Sequence, residues 1–236
     1  MRRFPVLTAV ACAIAAVAAM GQYTIPAMIP ALQRPPGSLP SSQWWRLVTP
    51  LLVQTLGWYQ VAANLVTLAI IGTIAERMLP RGWWLALFAA GTAGGQLAAC
   101  HWHDPGGGDS IAICGLAAGI IVTLLVRPEA GTTFDHWAVV CYVAALTGRG
   151  FFGFRASALA CVLAAISLAV LRHARVPGAD RIALACCVVS AVALVRLEND
   201  LHGASLIAGM LAASSRHIAV TRRRRETERG TVQLRA

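Results

Sequence analysis

Apolar segments about as long as a bilayer is thick recur along this chain, and they constrain its fold more than any other feature. They fall at about residues 4–20, 58–76, 82–100, 110–126, 134–148, 155–172, 180–196 and 203–220. A helix needs about 20 residues to cross roughly 30 Å of hydrocarbon, and only a helix satisfies every backbone group within one segment. The sequence therefore predicts an all-α polytopic membrane protein, a helical bundle with about eight transmembrane helices.

The composition and the distribution of charge agree with a membrane location. Hydrophobic residues make up 57% of the chain and charged residues only 13%, whereas soluble proteins carry about 25% charged residues. The net charge is +10, but the basic residues lie in short clusters between apolar segments, which is typical of membrane topology and not of a nucleic-acid-binding face. Their distribution predicts cytoplasmic N- and C-termini. The use of arginine without lysine, together with many Ala, Val and Leu residues, suggests a bacterial genome rich in G and C, so we expect a protein of a bacterial cell membrane.

The segments divide the chain into four parts. Residues 1–21 form a first transmembrane helix, which we expect to be retained as an anchor, with a cleaved signal peptide as the alternative. Residues 22–57 form an outer loop rich in proline and tryptophan, residues 58–220 form the membrane domain, and residues 221–236 form a basic cytoplasmic tail.

Three consecutive glycines, ending at Gly108, lead through Asp109 into Ser110 at the start of the fourth apolar segment. At a helix N-terminus, free backbone N–H groups can hold an oxyanion, so this serine is a candidate nucleophile. An ordinary helix cap formed by Asp109 or Ser110 is the alternative. Gly115 and Gly119 then form a stripe of small residues that favours close helix packing.

His202 opens the last apolar segment and is followed by Ser205 and Gly209 on the same helix face. The fourth and last helices are predicted to run in the same direction. Ser110 and His202 each lie about two turns above a glycine, so they would meet at similar depth. A serine beside a histidine is the minimal pair of nucleophile and base, whereas a lone interfacial or capping histidine is the alternative.

Three further groups of polar residues occur in or beside apolar segments. Gln60, Asn64 and Thr67 share one stripe of the second segment, where they would line a site or hold helices together. Cys114 is a rival nucleophile one turn below Ser110, but its apolar neighbours favour an inert thiol. The Cys-His-Trp-His-Asp sequence at 100–104 lacks metal-ligand spacing, so we predict no metal and no cofactor.

Taken in order, these motifs resemble the rhomboid family of intramembrane serine proteases. The motif residues that match are Trp45, Arg46, Thr49, Asn64, Gly72, Glu76, Gly108, Asp109, Ser110, Gly115, His202 and Gly209. The resemblance implies a catalytic pair without a third acid, in which Ser110 attacks a peptide carbonyl and His202 acts first as base and then as acid. It also implies that Asn64 and the Ser110 backbone amide hold the oxyanion, with Gln60 nearby.

The chain also departs from the family pattern at particular positions. Ile111 stands where the family usually has glycine, Gln60 where it has histidine, and Ser205 where glycine is common. The leading hypothesis is a serine endopeptidase that acts on transmembrane protein substrates within the lipid bilayer. The alternatives are an inactive relative that binds transmembrane helices without cutting them, and a small transporter.

Overall fold

The computed structural model describes residues 4–35 and 42–233, with side chains described up to residue 217. The described residues form nine α-helices: α1 (Val6–Thr24), α2 (Met28–Leu32), α3 (Trp58–Met78), α4 (Arg81–Trp102), α5 (Ser110–Val126), α6 (Thr133–Phe152), α7 (Phe154–His173), α8 (Ala179–Glu198) and α9 (Leu201–Gln233). Short 3-10 helices cover Trp44–Leu47, Thr49–Leu52 and Pro128–Ala130.

The all-α fold predicted from the apolar segments is confirmed. Each of the eight segments coincides with one long α-helix. Among the α-helices of the described part of the chain, only the five-residue α2 lies outside these segments. By length and composition, α1, α3 and α7 are each able to cross a membrane, and α5 is a shorter apolar helix. The backbone of the predicted tail continues α9 as far as Gln233.

Helix α5 is the central helix of the bundle. Every residue from Ser110 to Leu124 is buried, as expected for a helix that is apolar all round. It packs against α4, α9 and α3. The closest approaches are at glycines: a Cβ on Gly91 would lie 2.6 Å from the backbone nitrogen of Gly115, and a Cβ on Gly209 would lie 2.9 Å from the Gly115 Cα. The small-residue stripes therefore set the spacing of α4, α5 and α9.

Two of the family motif residues attach α1 to α3. A Cβ on Gly72 would lie 2.8 Å from the Thr8 side chain, so the absence of a side chain lets α1 approach. The Glu76 carboxylate accepts hydrogen bonds from the backbone N–H groups of Leu7 and Thr8, at 3.1 and 3.0 Å. Since the first N–H groups of a helix have no partner within it, Glu76 caps the beginning of α1 from a neighbouring helix.

Helices α6, α7 and α8 separate the serine helix from the histidine helix along the chain. Helix α6 packs against α7 and α8, and α8 packs against α9. In α7 only Leu168 is buried, so this helix lies at the edge of the bundle. A two-residue connection, Asn199 and Asp200, joins α8 to α9, and Asn199 adopts the left-handed conformation with φ 51°.

Candidate active site

Ser110 is the first residue of α5 and follows a glycine loop that only glycine could form. Gly106 and Gly108 have φ values of 128° and 148°, in the region that side chains rarely adopt. A Cβ on Gly108 would also collide with the Gln60 amide nitrogen. The Gly108 N–H donates to the Pro50 carbonyl at 2.8 Å. The loop is thus fixed to the outer segment, and it presents Ser110 at a helix N-terminus.

The structure brings Ser110 and His202 together. The serine Oγ lies 3.0 Å from the histidine Nε2, within the reach of a nucleophile and its general base. The two residues are only 7% and 5% exposed. They come together because both stand at the same end of their helices, and the glycine contacts below them hold α5 and α9 close.

Asp200 is a site residue that the sequence reasoning missed. Its Oδ1 lies 2.9 Å from the His202 Nδ1 and accepts from the backbone N–H groups of His202 and Gly203 at 2.7 and 3.4 Å. Burial raises the pKa of the Asp200 carboxyl, but the charge of protonated His202 and these hydrogen bonds outweigh burial and lower the pKa to about 2. An aspartate immediately before a helix start was a visible signal for an N-cap, but its contact with the imidazole was not visible.

A cavity of about 160 Å³ opens beside the serine and the histidine. It has room for several water molecules. Its wall is formed mainly by polar groups and loop backbone, from residues 34, 55, 56, 60, 104–108, 110, 111, 149, 201 and 202. The cavity therefore offers a polar space beside Ser110 in a bundle whose core is apolar.

Asn64 and Gln60 take different positions around this cavity. The Asn64 amide donates to the Asp109 carboxylate and to the Gln54 side-chain carbonyl, both at 2.8 Å. Gln60 lines the cavity, and its amide nitrogen donates to the Gly107 carbonyl at 3.0 Å. Gln60 thus belongs to the cavity wall that includes Ser110, whereas the Asn64 amide is directed to the residue before Ser110; the assignment of the oxyanion to Asn64 and the Ser110 amide stays a prediction.

Gln54 and Asp109 are further residues whose role the sequence reasoning missed. The Gln54 side-chain amide donates to the Asp109 carboxylate at 2.8 Å. The backbone N–H of Gln54 donates to the side-chain carbonyl of Gln22 at 2.7 Å. Asp109 is 3% exposed. This buried network joins α1, the outer loop and α3 to the residue that precedes Ser110.

Arg34, Arg46 and Thr49 fix the outer loop over the site. The Arg34 side chain is buried and donates to Gln96 and to the backbone carbonyl of Asp104, both at 2.6 Å. Arg46 donates to the Gln33 carbonyl at 2.7 Å, and Thr49 donates to a carbonyl of α2 at 2.9 Å. Within the Trp-Arg motif, Arg46 makes these contacts to the loop backbone, and Trp45 is 40% exposed.

Ile111, the residue after Ser110, is part of the cavity wall but buries its side chain against α4. Its side chain is 2% exposed and packs at Gly95 of α4, where an added Cβ would lie 2.7 Å from the isoleucine Cγ2. Gly95 also faces the Ser205 hydroxyl, which donates to the Leu201 carbonyl at 2.8 Å. A small residue on α4 thus accommodates both departures from the family pattern.

Cys114 lies below the serine in the apolar core. Its side chain is fully buried, and its sulfur lies 3.4 Å from the hydroxyl of Tyr142 on α6. The same hydroxyl donates to the Ser110 backbone carbonyl at 3.2 Å. Cys114 does not line the cavity beside Ser110, which supports the interpretation of Cys114 as a packing residue.

The comparison with known protein families agrees with the motifs. The family model described as the Rhomboid domain matches residues 41–171, which is more than half of the 236 residues. The matched region contains Ser110 and Asn64 and ends before α8 and α9. The searches of curated proteins and of solved structures returned no match. This match, over a chain of apolar helices, shows that the protein is a membrane protein and belongs to the rhomboid family.

Proposed function

We propose that this protein is a serine endopeptidase that cleaves transmembrane protein substrates within the bilayer. The observation that carries the proposal is the distance of 3.0 Å between the Ser110 Oγ and the His202 Nε2, beside a polar cavity in an apolar bundle. Rhomboid family membership supports it, since the family generally consists of serine proteases.

In the proposed reaction, the Ser110 Oγ attacks the scissile carbonyl carbon while His202 Nε2 takes the hydroxyl proton. The resulting tetrahedral intermediate collapses when the imidazolium gives that proton to the leaving amine, which breaks the C–N bond. A water molecule from the cavity then attacks the acyl-enzyme, again with His202 as base. His202 then returns the proton taken from water to Ser110 Oγ as the acyl C–O bond breaks, which releases the carboxylic acid product and restores the Ser110 hydroxyl.

The negative charge of the intermediate needs hydrogen-bond donors beside Ser110. The backbone N–H of Ser110 belongs to the first turn of α5, where no carbonyl of a preceding turn is available. Gln60 contributes a carboxamide in the cavity wall, and its Nε2 has a second hydrogen besides the one directed to Gly107. We assign the oxyanion to these two groups, with Asn64 holding Asp109.

The proposed substrate is a transmembrane segment cut near its outer end, in a multi-pass protein of a bacterial cell membrane with both termini cytoplasmic. Ser110 and His202 stand at the outer ends of α5 and α9 in this orientation, at the level of the outer loop that Arg34 joins to the glycine loop. In this proposal, residues 1–21 are the anchor, 22–57 the outer loop, 58–220 the catalytic bundle and 221–236 the basic tail.

Labelling with a fluorophosphonate tests the proposal, because the reagent reacts with activated serines and needs no known substrate. The purified protein in detergent should be labelled, and Ser110→Ala and His202→Ala should each abolish labelling. Ser205→Ala is the matched control: Ser205 is buried three residues after His202 and donates to a backbone carbonyl, so this variant should label normally. A folded parent protein that is not labelled would favour the inactive relative.

A further inference from the structure

The His202 imidazole has a carboxylate on one side and a hydroxyl on the other. Asp200 Oδ1 lies 2.9 Å from Nδ1, and Ser110 Oγ lies 3.0 Å from Nε2. A neutral imidazole carries one N–H, and a carboxylate can only accept a hydrogen bond when it is ionised. The proton is therefore on Nδ1, which leaves the Nε2 lone pair facing the serine.

Helix capping accounts for only part of the Asp200 geometry. An N-cap side chain accepts from backbone N–H groups, and Asp200 does so at residues 202 and 203. The contact with the imidazole is additional, and it uses the same oxygen. The cap thus fixes the carboxylate on rigid backbone, and this oxygen in turn fixes the ring.

The short turn between α8 and α9 delivers the carboxylate to this position. Asn199 turns the chain in the left-handed conformation with φ 51°, and the Asp200 N–H donates to the Leu194 carbonyl at 3.1 Å. Gly150 of α6 packs over the other carboxylate oxygen, since a Cβ there would lie 3.7 Å from Oδ2. The Asp200 side chain is only 19% exposed, so water screens its charge weakly.

We propose that Asp200 is a positioning residue that completes a Ser110–His202–Asp200 triad. It holds the His202 ring with Nδ1 protonated and stabilises the imidazolium that forms when Nε2 takes the serine proton. The carboxylate itself gains no proton in this step, because the Nδ1 proton stays on the ring. The inference rests on the proposed protease function and adds a third group to the pair.

Asp200→Asn separates this role from capping, because asparagine caps helices as well as aspartate does. The variant keeps an oxygen for the backbone N–H groups but removes the charge beside the imidazole. We expect its maximal rate of fluorophosphonate labelling to fall by about 10²–10⁴-fold, the usual contribution of acid–base catalysis. The reagent concentration at half-maximal rate should not change, and the thermal unfolding temperature should fall by only a few degrees, as loss of the carboxylate charge predicts.

Two variants control for the removal of a carboxylate and for the cap. Asp180→Asn removes a carboxylate from the first turn of α8, where it pairs with Arg172, and should label at the parental rate. Asp200→Ser keeps a capping side chain without a carboxylate and should lose rate as Asp200→Asn does. Parental labelling in both Asp200 variants, or a loss that follows unfolding temperature alone, would overturn the proposal.

Nitrogen NMR of histidine-labelled protein separates failure of this inference from failure of the proposed function. The signal that His202→Ala deletes should show the Nδ1–H tautomer in the parent protein, and Asp200→Ala should convert it to a mixture of tautomers. If the parent is never labelled but shows this tautomer shift, the protease proposal fails and the positioning of His202 stands. An imidazole unaffected by Asp200→Ala refutes the positioning role.

Discussion

The contact of α9 with α5 at Gly209 should control the distance between Ser110 and His202. In Gly209→Ala the new Cβ would lie 2.7 Å from the Ala118 Cβ and 2.9 Å from the Gly115 Cα, whereas ordinary contacts are 3.4–4 Å. The helices must part by roughly 0.5–1 Å to restore normal contact. Overpacking of this kind costs about 1–3 kcal/mol, or about 2–4 °C of unfolding temperature per kcal/mol for a chain of this size.

The same displacement acts on the contact between Ser110 and His202, two turns above. The distance between Ser110 Oγ and His202 Nε2 is now 3.0 Å. With this displacement added, the distance would exceed the reach of about 2.6–3.2 Å that a general base needs. A misplacement of roughly 1 Å can cost about 10²-fold in rate. Gly209→Ala should therefore lose fluorophosphonate labelling by about that factor, with a lower unfolding temperature.

Gly82→Ala is the matched control for this prediction. A Cβ on Gly82 would meet nothing within 4 Å, and the residue lies in the first turn of α4. Replacing a helical glycine by alanine should stabilise the fold by roughly 0.5–1 kcal/mol, with labelling unchanged. If Gly209→Ala is labelled at the parental rate and unfolds at the parental temperature, close packing at Gly209 does not set the site geometry.

Four further predictions concern individual residues. Ile111→Ala should destabilise the fold by about 2–5 kcal/mol because it leaves a cavity, and it should not increase labelling; a gain would show that the side chain obstructs the site. Glu76→Ala should cost about 1–3 kcal/mol by leaving the start of α1 uncapped, measured by thermal unfolding against the exposed Glu129→Ala. Cys114→Ala should label at the parental rate, since the thiol is fully buried; loss of labelling would contradict its packing role. The pKa of the Asp200 carboxyl in the folded protein is lowered to about 2 from the ordinary 3.8. The ionised carboxylate therefore contributes roughly 2 kcal/mol of stability above about pH 4, and this contribution is lost as the pH falls toward 2. The unfolding temperature of Asp200→Asn should fall less than that of the parent protein over that range.

Much of the fold follows from local properties of the sequence. The apolar segments predict every long helix that the structure has. A backbone in an apolar environment must satisfy its own hydrogen bonds, and a helix does so within one segment. The pairing of Ser110 with His202 also follows from sequence, since both residues precede small-residue stripes on helices of the same direction. Those stripes lie in contact, as Gly115 and Gly209 show.

The partners of the polar side chains depend on loops that have no periodicity. Asn64 is directed to Asp109 and Gln54 because the outer loop folds back onto α3. Asp200 reaches the His202 imidazole because Asn199 takes a left-handed turn. The Ile111 side chain is buried against α4 because Gly95 on that helix leaves room for it. Periodic burial, which a sequence displays, determines which helices form and which faces pack; the hydrogen bonds of a site depend on the direction of single side chains across tertiary contacts, and only the folded chain decides them.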